Sequence, residues 1–174
     1  MAVYTKINNR DISYINRKFE IEKIINFKGI KQGIENTNYL LRSKNKKFIL
    51  TIFEKRVFQK EIPFFMKLMD QLNDLKINCP KPQKNKKGTY LIRIKNKTAC
   101  IVSFLEGKDK KSLNLKNCHD IGKMIAEMHL STKKINLSRK NSMGIKYLNP
   151  LLNSIKFKSK NTGEVGKYPR AIKR

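Results

Sequence analysis

The apolar residues of the chain change period several times, and each change marks an element. Ile12, Ile15 and Phe19 stand three and four apart behind Asn8 and Asn9, two residues suited to cap a helix, so residues 5–18 are predicted helical. Glu20 to Gly29 then reads as a strand carrying Ile21, Ile24, Ile25 and Phe27. Asn38 to Arg42 and Lys47 to Glu54 form a strand pair around the polar turn Ser43-Lys44-Asn45-Lys46. A second helix is predicted from Glu61 to Leu75, with Phe65, Leu68, Met69, Leu72 and Leu75 on one face and Pro63 in the first turn. After the breaker Cys79-Pro80-Lys81-Pro82, Thr89 to Ile94 and Thr98 to Phe104 make another hairpin about Lys95-Asn96-Lys97. A third helix is expected over 117–130, capped by Asn117 with Asp120 in its first turn. Its stripe of Ile121, Met124, Ile125 and Met128 has core spacing. From about Lys156 the chain loses both periods. The order is that of an α+β fold, a mostly antiparallel sheet crossed by a helix. Ile49, Leu50, Phe65, Leu68, Leu72, Ile101 and Val102 are the expected core.

Composition adds less than its extremes suggest. The chain of 174 residues carries 40 Lys and Arg against 13 Asp and Glu, a formal charge of +27. That imbalance suits a polyanion partner. Yet 32 of the cations are Lys and only 8 are Arg, and Lys, Ile and Asn together fill 71 positions. Such a bias resembles AT-rich coding, which loads any surface with Lys, whereas nucleic-acid readers also use the planar fork of Arg. A small basic nucleic-acid-binding protein is therefore the alternative reading; it requires exposed aromatics such as Tyr39, Phe48 and Phe53 interleaved with the cations. No apolar run reaches the roughly 18 residues of a membrane span, and Met1 to Arg10 has no apolar signal segment. Cys79, Cys100 and Cys118 fit neither a disulfide framework nor, with His119 and His129, a zinc site. The expectation is a cytoplasmic protein without structural metal, in which Cys100 is a small core residue.

Two segments carry candidate chemistry. Gly29 to Asn38 holds two glycines four apart, then Ile34, Glu35, Asn36, Thr37 and Asn38. Backbone amides of such a loop approach phosphates, and the same residues also serve as an ordinary hairpin connection. No Gly-Lys-Ser/Thr follows Gly33, and the next element is a strand, so neither a Walker A loop nor a Rossmann fingerprint is present. Ser103, Phe104 and Leu105 leave an apolar strand, where backbone groups freed from the ladder meet an adenine edge or simply end the strand.

The order of the pieces, with Phe27-Lys-Gly-Ile-Lys-Gln-Gly-Ile-Glu-Asn-Thr-Asn-Tyr-Leu-Leu41, Phe48-Ile-Leu-Thr-Ile-Phe-Glu-Lys-Arg56 and Ile101-Val-Ser-Phe-Leu-Glu-Gly107, resembles the bacterial homoserine kinases of the aminoglycoside-phosphotransferase/choline-kinase-like group over about residues 1–155. The resemblance implies a kinase-like N-lobe over 1–106, the start of a helical C-lobe over 107–155 and a non-family tail over 156–174. It implies ATP and Mg2+ as cofactors, and transfer of a phosphoryl group to L-homoserine on the threonine pathway. Gly29, Gly33, Ile34, Glu35, Asn36, Thr37 and Asn38 would lie over the phosphates, and Ser103, Phe104 and Leu105 would contact adenine. Glu61 would be the helix acid. Thr51 stands where kinases keep a phosphate-pairing Lys, as it does in the homoserine kinase pattern, with Lys55 or Arg56 just downstream as substitutes. No His-x-Asp-x-x-x-x-Asn loop occurs in the chain. His119-Asp120 has the wrong spacing, and Asp120 is expected to cap. No catalytic residue and no metal ligand is assigned here. A truncated or frame-shifted end is expected, with the missing loop encoded past codon 156. The Met124–Met128 stripe, with Leu148, Leu151 and Leu152, is then expected to lie unburied. A nucleotide-binding scaffold without turnover is a third reading.

Overall fold

In a computed structural model, residues 3–32, 34–54, 59–107, 109–141, 144–146 and 148–153 are described. They form two units, divided between Leu137 and Ser138. In the second, residues 148–153 are helical, with Leu151 and Leu152 exposed and Leu148 half-buried.

The first unit is built on helix α1 (Asn9–Lys18), strands β1 (Asn26–Gly29), β2 (Thr37–Arg42) and β3 (Lys47–Ile52), helix α2 (Ile62–Asp74), strands β4 (Leu91–Ile94) and β5 (Lys97–Ser103), and helix α3 (Leu115–Thr132). The five strands make one antiparallel sheet in the order β1-β2-β3-β5-β4. The α+β reading holds, and four boundaries move for identifiable reasons. Helix α1 starts at Asn9 because Asn8 closes a capping box with Asp11. The residues before it are not helical. Strand β1 begins only at Asn26: Asn16 Oδ1 accepts from the Ile24 amide at 2.8 Å and Asn16 Nδ2 donates to the Ile24 carbonyl at 3.0 Å, occupying groups a ladder would need. Helix α3 is capped by Asn114, not Asn117, which sits at the third helical position and returns the bond. Asp120 therefore caps nothing and pairs with Lys116 at 3.3 Å. The second hairpin turns on Lys95 and Asn96 alone, both at positive φ, and Lys97 already belongs to β5. That is the mirror-image turn whose twist suits a two-residue hairpin.

Because opposed residues share a face, the register sorts the sheet into two sides. The first carries Phe27, Tyr39, Leu41, Phe48, Leu50, Ile52, Ala99, Ile101, Ile92 and Ile94, and α1 lays Ile12, Ile15 and Phe19 on it, as their spacing predicts. The second carries Lys28, Leu40, Asn38, Ile49, Thr51, Cys100, Val102 and Leu91. Helix α2 covers only its β5–β4 end, through Ile62 and Met66 on Cys100, Leu91 and Val102. Leu50, Leu72 and Ile101 are buried as expected. Ile49 and Val102 are half-buried because they face the second side. Leu68 is half-buried too, and Phe65 is exposed. The buried face of α2 is Ile62, Met66 and Leu72, rotated from the expected stripe because Ile62 and Met66 reach Cys100. Phe65 instead meets Phe64 edge-on, with ring centroids 5.4 Å apart. Cys79, Cys100 and Cys118 are free thiols, and burial pushes that of Cys100 up to about 12. No described residue of α3 is buried; Met124 is 52% exposed, while Met128 is half-buried.

Candidate functional site

The loop between β1 and β2 is held from one side by the start of the chain. Thr37 is fully buried on the α1 side; its Oγ1 accepts from the amides of Tyr4 at 2.9 Å and Thr5 at 3.1 Å and donates to Glu54 Oε1 at 2.7 Å. Thr5 Oγ1 donates to the same Glu54 oxygen at 2.7 Å and accepts from Lys97 Nζ at 2.7 Å. Lys97 Nζ also binds Glu54 Oε2 directly. Tyr4 donates its hydroxyl to the Ile34 carbonyl at 2.9 Å, and Tyr39 donates to the Thr5 carbonyl at 3.0 Å. Gly29 is needed here for closeness rather than for φ: a Cβ would stand 3.0 Å from Val3 Cγ2. Residues 3–7 thus clasp the base of the loop. No sequence period signals this clasp, because its residues are tied by side-chain bonds across more than 30 positions.

Burial pushes the Glu54 carboxyl up, but the hydrogen bonds from Lys97, Thr5 and Thr37 and the ammonium charge outweigh it, so it titrates below its ordinary 4.5. A depressed carboxylate stabilises the fold above its unfolded pKa and loses that contribution as pH falls through the folded value. Lys97 is 37% exposed, so solvent weakens the pair. Glu54→Gln is expected to cost about 1 kcal/mol at neutral pH in denaturant melts. The gap to the wild type should narrow as pH drops below 4.5; a gap independent of pH would mean that the carboxylate charge contributes nothing.

On the second side the loop roofs an open space. A cavity of about 480 Å³ is lined by Lys28, Gly29, Ile30, Lys31, Gln32 and Leu40. Asn38 faces this side, and its Oδ1 accepts from Thr51 Oγ1 at 2.8 Å. Asn36 Oδ1 accepts from the Glu54 amide at 3.4 Å, and Ile34 and Glu35 are exposed. The loop residues named from sequence therefore divide: Thr37 points into the clasp and Asn38 toward the cavity side. Gly33, Lys55 and Arg56 lie outside the described residues.

The exit of β5 lies at the end of the sheet away from the loop, with Ser103 opposite Phe48. The Ser103 amide donates to the Lys81 carbonyl at 2.9 Å, Ser103 Oγ accepts from the Lys81 amide at 2.8 Å, and the Phe104 amide donates to the Lys47 carbonyl at 3.2 Å. Lys47 pairs with Glu106 at 2.7 Å and stands over the Phe104 ring at 5.3 Å. The Leu105 amide has no partner among the described residues. Of the three exit amides it is the donor left for a ligand edge. Glu61 sits at the head of α2 and makes no side-chain cap bond. His119 and His129 are exposed on α3, and His119 Nδ1 stands 3.6 Å from Asp120. Among the described residues no three His, Cys, Asp or Glu side chains come together. Tyr39 and Phe48, which a nucleic-acid reader would need on the surface, are core residues. Among the described residues no helix is long and apolar enough to cross a membrane.

A glycine-bearing loop thus stands over a cavity lined by Lys28 and Lys31, and the β5 exit holds an amide without a partner among the described residues. The chain belongs to the phosphotransferase enzyme family, whose pattern matches residues 26–153. It is 36% identical over 154 residues to a homoserine kinase of Parvibaculum lavamentivorans, covering 88% of this chain and 48% of that protein. It is 37% identical over 146 residues to a homoserine kinase of Rhodopseudomonas palustris, covering 84% and 45%. The chain thus spans about half the length of the curated relatives it matches. Among solved structures it is similar to a spectinomycin phosphotransferase in complex with ADP and spectinomycin, with a TM-score of 0.65 at 14% identity over 96% of this chain and 50% of that one. A microcompartment-associated aminopropanol kinase matches with a TM-score of 0.56 at 14% identity, over 78% and 43%. These likenesses establish the kinase-like fold.

Proposed function

We propose that this chain is the nucleotide-binding part of a homoserine kinase, which moves the γ-phosphoryl group of ATP to the hydroxyl of L-homoserine in threonine biosynthesis. The observation that carries the reading is the identity of 36% with a homoserine kinase over 154 residues, nearly the whole chain. The site supports it. Residues 29–38 offer amides and the cations beside them to the phosphates, and Ser103–Leu105 offers the Leu105 amide to adenine. Mg2+ would neutralise charge between the phosphates; its ligands are not expected among these residues. Residues 1–106 act as the N-lobe and 107–155 as the start of the helical C-lobe, with 156–174 outside the family pattern. The setting is cytoplasmic, and the partners are ATP and L-homoserine rather than nucleic acid.

A chimera tests this: residues 1–153 joined ahead of the second half of the Parvibaculum lavamentivorans relative. It is expected to phosphorylate L-homoserine in preference to choline, spectinomycin or aminopropanol. A chimera that folds and binds ATP but prefers another of these acceptors would overturn the assignment.

A further inference from the structure

Resting on the nucleotide reading above, we propose that Lys28 is the cation that pairs with the nucleotide's phosphates, doing from β1 what neutral Thr51 cannot do from β3. Three rows of the open side cross β1, β2 and β3. Asn26, Arg42 and Lys47 form the row farthest from the loop. Lys28, Leu40, Ile49 and Val102 form the middle row. Asn38, Thr51 and Cys100 form the row at the loop end. Residues in one row, and two apart along a strand, share a face.

Lys55 and Arg56 lie outside the described residues, and the other groups along β2 and β3 on this side are placed as follows. Lys47 is held by Glu106 at 2.7 Å, beside the strand exit. Arg42 stands at the far end of β2. Thr51 gives its hydroxyl to Asn38 at 2.8 Å and carries no charge. Lys28 is exposed, lines the cavity and has no anionic partner among the described residues. It stands one residue before Gly29, where the chain leaves the strand for the loop. Among the described residues the cavity lining holds Lys28, Lys31, Gln32, Ile30, Gly29 and Leu40, and no carboxylate. In a chain with so many lysines an exposed one is ordinary. A lysine on an uncovered sheet face, lining a cavity free of acids under a glycine-bearing loop, is placed to meet a polyphosphate. An ammonium binds phosphate as a point charge and tolerates approach from a neighbouring strand. Lys31, in the loop itself, adds a second and more remote charge.

The test compares ATP with adenosine, which shares the base and sugar but lacks the phosphates. Calorimetric titrations would use the chain as it stands, Lys28→Met, Lys28→Arg, Lys31→Met and Lys87→Met, the last a control for lost charge far from the cavity. Lys28→Met is expected to weaken ATP about tenfold or more, the size of one charge-assisted hydrogen bond, and to leave adenosine within about twofold. Lys28→Arg should recover most of the loss, Lys31→Met should cost about threefold, and Lys87→Met should cost nothing beyond a uniform salt-dependent shift. ATP binding unchanged in Lys28→Met, or ATP and adenosine weakened equally, would overturn the role of Lys28 while leaving the nucleotide site standing. Failure of the unaltered chain to bind either compound would remove the nucleotide reading and this proposal together. Lys28 is exposed, so the variant's melting temperature should match the parent's, separating a binding loss from a folding one.

Discussion

Leu50→Ala is expected to cost 2–5 kcal/mol, roughly the range for emptying a fully buried leucine site, and to leave much of the chain unfolded at 37 °C. Leu50 has no exposed surface and lies opposite Tyr39 on β2 and Ile101 on β5, under helix α1. Its loss opens a cavity in the middle of the larger core, where sheet and helix converge. Domains of this size hold only about 5–15 kcal/mol in total, and this one leaves the α3 stripe uncovered. Ile49→Ala, one residue away on the same strand, is the control. Ile49 faces the open second side and is half-buried, so its truncation should cost about 1 kcal/mol or less. Equal losses at the two positions would mean that the two faces of β3 have been assigned wrongly.

The second large effect concerns turnover. The chain alone is expected to show no homoserine phosphorylation, at least about 10⁴-fold below a full-length relative. Phosphoryl transfer depends on positioning and on metal-borne charge, with an acid beside the acceptor hydroxyl. Residues 29–38 and 103–105 supply neither the metal ligands nor that acid. A coupled assay with ATP, magnesium and L-homoserine checks this, and turnover near that of a full-length relative would reveal catalytic residues not recognised among those present.

Much of the first unit was legible because local signals and tertiary packing agree. Ile12, Ile15 and Phe19 alternate at helical spacing and are buried by the sheet they face. The apolar runs of β3 and β5 are central strands, and central strands tolerate few substitutes for continuous apolar sequence. Legibility failed where a side chain replaced a backbone partner or where a neighbour decided the face. Asn16 removes Ile24 from β1, which no period predicts. Phe65 loses to Met66 because Cys100 offers its contact on that side. Asn114 wins the cap of α3 from Asn117 because Asn117, three places on, returns the bond. For the candidate site, the loop and the strand exit stood out in sequence through their glycines and position. The division of labour within the loop did not: Thr37 serves the clasp while Asn38 serves the open side, and only the register tells them apart.

The most direct measurement is a titration of the isotope-labelled chain with ATP, followed through its backbone amide resonances. The amides of Gly29 to Asn38 and of Leu105 should shift together, with a common saturation curve, while those of Tyr14 and Arg17 on α1 and of Arg93 on the edge strand β4 stay in place. Shifts centred on those three residues, or no saturable shift in the loop at millimolar ATP, would contradict a nucleotide site beneath the β1–β2 hairpin.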